Sequence, residues 1–128
     1  MAKLRQLLRS ATSSPDKAAY CPEAGDIIRI NFDPQAGREQ AGPRPALVLS
    51  PKSYNEKTRL CVLCPITNQA KGYPFEAPIP NGHKVTGAVL SDHIKNLSWE
   101  QRNSEFLCRA PIGLAEDVKA KIRALIHI

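Results

Sequence analysis

Apolar positions between residues 25 and 110 fall in short blocks rather than at helical spacing. Residues 26–32 (DIIRINF), 45–50 (PALVLS) and 59–66 (RLCVLCPI) are near-continuous apolar runs of strand length, as buried strands are. Residues 73–79 (YPFEAPI) and 85–91 (VTGAVLS) flank Asn81-Gly82, a hairpin-turn signal because both residues tolerate positive φ. Residues 93–99 predict a further strand, with a hairpin into 105–109. Pro74 and Pro78 each remove a ladder donor, which confines that strand to an edge or a bulge. Many short strands with Pro/Gly turns and no βαβ alternation predict a small barrel or sandwich.

The two ends carry a different period. Leu114, Val118, Ile122, Leu125 and Ile126 line one face of a C-terminal helix. Glu116 and Asp117 open it and Lys119, Lys121 and Arg123 follow, an order that complements the helix dipole. The fold class is therefore mainly β with a C-terminal α-helix lying across the open side of the barrel. At the other end Leu4, Leu7 and Leu8 predict a short amphipathic helix, and residues 10–15 (SATSSP) break it. Residues 1–24 read as a basic extension, a short helix plus tether, and residues 25–128 as the domain.

Composition changes this picture in three ways. A length of 128 residues suits one domain. Eighteen Lys+Arg against twelve Asp+Glu leave a charge of +6, which favours an anionic partner such as nucleic acid. No apolar run approaches the roughly 18 residues of a spanning helix, and the N-terminus lacks a secretory core, so a cytoplasmic location with four free thiols is expected.

Candidate chemistry is sparse. Residues 33–44 (DPQAGREQAGPR) form a long connection between two strands, and long ordered loops are often functional. Arg44 stands between Pro43 and Pro45, whose rings restrict the backbone on both sides and so hold its guanidinium. Cys61 and Cys64 form a CxxC inside an apolar run; on a strand, positions three apart face opposite ways, so the sulfurs diverge. His93 follows Asp92 near a strand start. No metal site is expected.

Gly25-Asp26-Ile27-Ile28, Phe32-Asp33-Pro34 and the run from Glu39 through Gly42-Pro43-Arg44-Pro45-Ala46 to Ser50 resemble the MazF/PemK family of toxin ribonucleases. Tyr54-Asn55, Pro65-Ile66-Thr67-Asn68-Gln69, Lys71-Gly72-Tyr73-Pro74-Phe75-Glu76 and the block from Gly87 to Lys95 with Trp99 continue the series. The ordered series is specific, where no single block is, and residues 1–24 lie outside it. The resemblance implies a small SH3-like (PemK/MazF-type) β-barrel acting as a homodimer. It implies cleavage of single-stranded RNA at short specific sequences without metal or other cofactor, leaving a 2′,3′-cyclic phosphate and a 5′-hydroxyl. It implies, too, a cognate antitoxin with an acidic disordered tail, and no membrane partner. The family's catalytic arginine, threonine and loop glutamate map onto Arg44, Thr67 and Glu39.

These residue types suit the chemistry. Attack of a ribose 2′-OH on phosphorus builds negative charge on the nonbridging oxygens, and a fixed guanidinium offers them forked donors. A threonine hydroxyl adds another donor, and Glu39 is the candidate for taking the 2′-OH proton. Arg38, Gln40, Lys52, Tyr54, Asn55, Lys57, Asn68, Gln69, Lys71, Asp92 and Lys95 make up the expected RNA-binding set. With aromatic residues at only 5%, base stacking falls to Tyr54 and Tyr73, since Phe75 and Trp99 suit the core better. The rival is a non-catalytic SH3-like module binding nucleic acid or protein, or a family member with another target such as a gyrase.

Overall fold

The computed structural model describes residues 20–33 and 42–128. Its strands are β1 (Asp26–Asn31), β2 (Pro43–Val48), β3 (Leu60–Thr67), β4 (Glu76–Pro78), β5 (Ala88–Leu90), β6 (Lys95–Ser98) and β7 (Glu105–Arg109). Two helices join them, α1 (Lys52–Thr58) and α2 (Leu114–Ile126). The hydrogen-bonded order is β4-β5-β3-β2-β1-β7, with β6 on the other edge of β3, and all pairs are antiparallel. Among the described residues the ladder does not close: β4, β6 and β7 each pair with a single strand.

The apolar runs are explained by burial on both faces. Along β1, Ile27 enters one core cluster while Ile28 and Ile30 enter the other. Along β2, Leu47 joins the first and Ala46 and Val48 the second. The first cluster is closed by Leu114 and Val118 of α2; the second gathers Phe32, Trp99 and Cys21. Cys61 and Cys64 fall into opposite clusters as free thiols, so the CxxC spacing does not build a ligand pair. Burial pushes both thiols up to about 12.

Several sequence expectations need correction. The strand expected over 73–79 shrinks to β4, because Glu76 N–H closes a turn onto the Tyr73 carbonyl; it does lie at the edge. The expected hairpin between 93–99 and 105–109 is absent: β6 pairs with β3 and β7 with β1. The connection between them is tied down elsewhere. The Trp99 indole N–H donates to the Asn55 carbonyl, and the Arg102 guanidinium to the carbonyls of Asn31 and Asp33. On α2 the apolar face is covered as far as Ile122, with Leu114 and Val118 buried and Ile122 partly so, while Leu125 and Ile126 are exposed.

A helix stands between β2 and β3, where the apolar pattern predicts no element. The α1 sequence KSYNEKT has no apolar stripe, and seven residues are too few for a helix to stand alone. Tertiary bonds hold it. Asn55, fully buried, accepts from Ser50 Oγ at 2.6 Å and donates to the carbonyls of Pro22 at 2.8 Å and Ser50 at 3.0 Å. Glu23 Oε1 accepts the Lys52 N–H at the first turn.

Residues 20–24, which the sequence places in the extension, are packed on this framework. Cys21 is buried in the second cluster. Asp26, 4% exposed, accepts from the Tyr20 hydroxyl at 2.8 Å, the Glu23 N–H at 3.0 Å and Arg109 Nη1 at 2.7 Å. Burial and the Asp26 carboxylate push the Tyr20 phenol far above its ordinary value. The short helix expected near Leu4–Leu8 lies outside the described residues.

Candidate active site

The β2–β3 register decides which sequence candidates share a face of the sheet. The ladder pairs Val48 with Leu63, Leu47 with Cys64 and Ala46 with Pro65. The ladder ends at that pair; beyond it β3 runs on along β5, Thr67 opposite Ala88, while β2 stays on β1. Side chains alternate along a strand, so Arg44 shares the face of Ala46 and Thr67 that of Pro65, which puts both candidates on one face, at the start of β2 and the end of β3. Arg44 is exposed within β2, with Ile30 as its Cα partner on β1.

Thr67 is held from several sides. It is 9% exposed, and its Oγ1 accepts the Gln69 N–H at 3.0 Å. A hydroxyl has one hydrogen to give, and that bond leaves it available to an oxygen presented from outside. Its backbone is clasped by β5, where it pairs with Ala88. Gly87, at φ +111°, lies so close to Thr67 that a Cβ there would overlap the Thr67 carbonyl.

The loop after Thr67 displays Asn68, Gln69 and Lys71, all exposed. Asn68 Oδ1 accepts from the Thr86 hydroxyl at 3.0 Å. Asp92 and Lys95, both half-buried, flank the middle of β3, Lys95 opposite Leu63. Asp92 Oδ1 and the neighbouring Ser91 Oγ are buried polar atoms without a hydrogen-bond partner. His93 Nε2 stands 3.9 Å from Asp92 Oδ1. Tyr73, 38% exposed, has its phenol pushed up by partial burial, then by the Asp92 and Glu76 carboxylates.

The α1 candidates are not at this end. Lys52, Tyr54 and Lys57 follow the far end of β2 and precede the start of β3. Seven strand steps from Leu60 to Thr67 amount to roughly 23 Å. Lys52 and Lys57 are exposed, and the Tyr54 hydroxyl accepts from Asn96 Nδ2. Asn55 is placed in the interior, with its amide spent on Pro22 and Ser50, and so does not reach an RNA surface. Trp99 is likewise interior, with the Arg59 guanidinium 5.4 Å from its ring. Arg38, Glu39 and Gln40 lie outside the described residues. Sequence reasoning assigned no task to Gly87 or to the buried Glu76, although both stand in the resembling blocks.

Known proteins resemble this chain along most of its length. Endoribonuclease toxin MazF of Escherichia coli strain K12 is 44% identical over 107 residues, 84% of this chain and 96% of that protein. The Escherichia coli endoribonuclease PemK is 32% identical, covering 81% of each chain. The crystal structure of MazF from Deinococcus radiodurans superposes with a TM-score of 0.82 at 48% identity, covering 85% of this chain and 99% of that one. Residues 23–126 match the PemK-like, MazF-like toxins of type II toxin–antitoxin systems. With that match spanning the whole sheet and all of α2, the chain belongs to the PemK/MazF toxin family.

Proposed function

We propose that this chain is an endoribonuclease toxin that cuts single-stranded RNA at specific sequences without a metal, the 2′-OH attacking the adjacent phosphorus. Family membership and the 44% identity to an endoribonuclease toxin support the activity. The observation that supports the site is the pairing of Ala46 with Pro65, from which strand alternation puts Arg44 and Thr67 on one face of the sheet. Arg44 donates to the nonbridging oxygens as their charge grows, and the Thr67 hydroxyl donates beside it. The 2′-oxygen forms its bond to phosphorus as the bond to the 5′-oxygen breaks and that oxygen takes a proton from water, giving a 2′,3′-cyclic phosphate and a 5′-hydroxyl. Glu39 takes the 2′-OH proton, since an arginine that stays protonated is a poor base. Asn68, Gln69, Lys71, Asp92 and Lys95 bind the strand next to the scissile bond. Lys52, Tyr54 and Lys57 meet it farther along, together with Arg38 and Gln40; Asn55 drops out of the set.

The toxin acts in the cytoplasm as a homodimer and is silenced by an antitoxin. Among the described residues no helix is long and apolar enough to cross a membrane. A MazE–MazF complex from Deinococcus radiodurans, 42% identical with a TM-score of 0.76, supports such a partner. An acidic disordered tail suits a chain of charge +6.

The test is incubation of the purified protein with a long RNA in EDTA. Discrete cuts are expected from the wild type. Arg44→Ala should remain folded and cut about 100- to 1,000-fold more slowly, the usual cost of one transition-state donor. Intact RNA with the wild type rejects the activity, and near-normal cutting by folded Arg44→Ala rejects the site.

A further inference from the structure

Glu76 is a buried carboxylate that the catalytic reading leaves without a task. It opens β4 and is 7% exposed. Its partners are two consecutive backbone amides. The Lys71 N–H reaches Oε1 at 3.0 Å and Oε2 at 2.9 Å, and the Gly72 N–H reaches Oε1 at 2.6 Å. Gly72 stands at φ +83°, a left-handed turn that lets successive N–H groups converge on one anion. Glu76 N–H in turn donates to the Tyr73 carbonyl at 3.1 Å, so the chain folds around its own carboxylate.

The segment so held is the one that follows Thr67. Residues 68–74 are all exposed and bury little apolar surface of their own. One end is fixed by Gln69 N–H on Thr67 Oγ1 and by Thr86 on Asn68. The other end is fixed by Glu76. Charge-assisted bonds of this kind are about twice as strong as neutral ones, and a buried carboxylate left without its donors is costly. An exposed loop gripped from inside by a buried anion keeps its outward side chains free and its backbone in place.

We infer that Glu76 is a positioning residue for RNA: it fixes residues 68–73 so that Asn68, Gln69 and Lys71 meet the strand in a set geometry beside Thr67. This rests on the function proposed above. Without the anchor the loop samples many conformations, and RNA binding must order it each time, which weakens binding rather than the chemical step. Glu76→Gln keeps the volume but turns one acceptor into an NH2 that faces the Lys71 N–H.

Amide hydrogen exchange and steady-state kinetics on a long single-stranded RNA, applied to the wild type, Glu76→Gln and Gly72→Ala, test this. Gly72→Ala strains the same turn from the solvent side, where a Cβ meets nothing within 4 Å, so it reports on the loop should Glu76→Gln fail to fold. The Lys71 and Gly72 amides are expected to exchange at least about tenfold faster in both variants, a change of about 1.4 kcal/mol in opening free energy. KM should rise about as much, with kcat within about threefold, because a factor of ten is the same free energy in either equilibrium. Unchanged amide exchange overturns the anchor. Freed amides with unchanged KM overturn its link to RNA, as does a loss confined to kcat. A wild type that does not cut RNA overturns the proposed function instead, while the exchange measurement still reads the anchor.

Discussion

Asn55 offers a sharp test, because sequence and structure assign it opposite places. Replacing it with alanine removes one bond from Ser50 Oγ and two donated bonds, to the carbonyls of Pro22 and Ser50. Each such bond contributes about 1 kcal/mol net, and a buried carbonyl left without a donor costs about 1–3 kcal/mol. A water entering the vacated space would offset part of that, which sets the expected loss at about 3–5 kcal/mol. Against the roughly 5–15 kcal/mol of a small domain, that is a large fraction. With a urea slope of about 1–3 kcal/mol/M, the midpoint should fall by about 1–5 M. The bond from the Trp99 indole N–H to the Asn55 main-chain carbonyl survives, so the fold persists in the absence of denaturant. Cleavage per folded molecule should stay within about threefold, since a residue that never touches substrate leaves the transition-state free energy nearly unchanged. An unchanged urea midpoint combined with lost RNA binding would falsify this placement and return Asn55 to the RNA surface.

Gly87→Ala should destabilise by about 2 kcal/mol or more and slow cleavage as well, because the new methyl strains a positive φ and pushes on the Thr67 carbonyl; full activity would show that Thr67 needs no such support. The reference is the melting temperature of the chain truncated before Tyr20. Truncation before Gly25 should lower it by several degrees, since Tyr20, Pro22 and Glu23 anchor Asp26 and α1; equal melting temperatures for the two truncations would refute the packing of residues 20–24. Cys61 and Cys64 should resist alkylation at pH 8 until the protein is unfolded, and reaction at the rate of free thiols would contradict their burial. Their raised values favour the protonated form in the fold, so this contribution is fully present below pH 9 and lost as pH rises from about 9 to 12. Stability that stays level across that window would count against it.

The elements legible in the chain are those whose own residues carry the signal. β1, β2 and β3 announce themselves because two core clusters flank the sheet and nearly every position is apolar. β7 and α2 keep their expected bounds, and the divergence of the two CxxC sulfurs follows from strand period alone. The Arg44 and Thr67 candidates came from residue blocks in order, with the prolines around Arg44 as the local physical cue.

What needed the folded chain was every feature whose partner lies far off in sequence. α1 is polar all round, and the bonds that make it a helix reach Pro22 and Glu23, about thirty residues away. Asn55 looks like a surface asparagine until that distant carbonyl is placed over it. β6 and β7 look like a hairpin until β3 and β1 compete for their edges and win. The same holds for the site. Which polar residues flank Thr67, and which sit at the other end of β3, depends on strand register, and register is set by packing across the sheet rather than by any short window of residues.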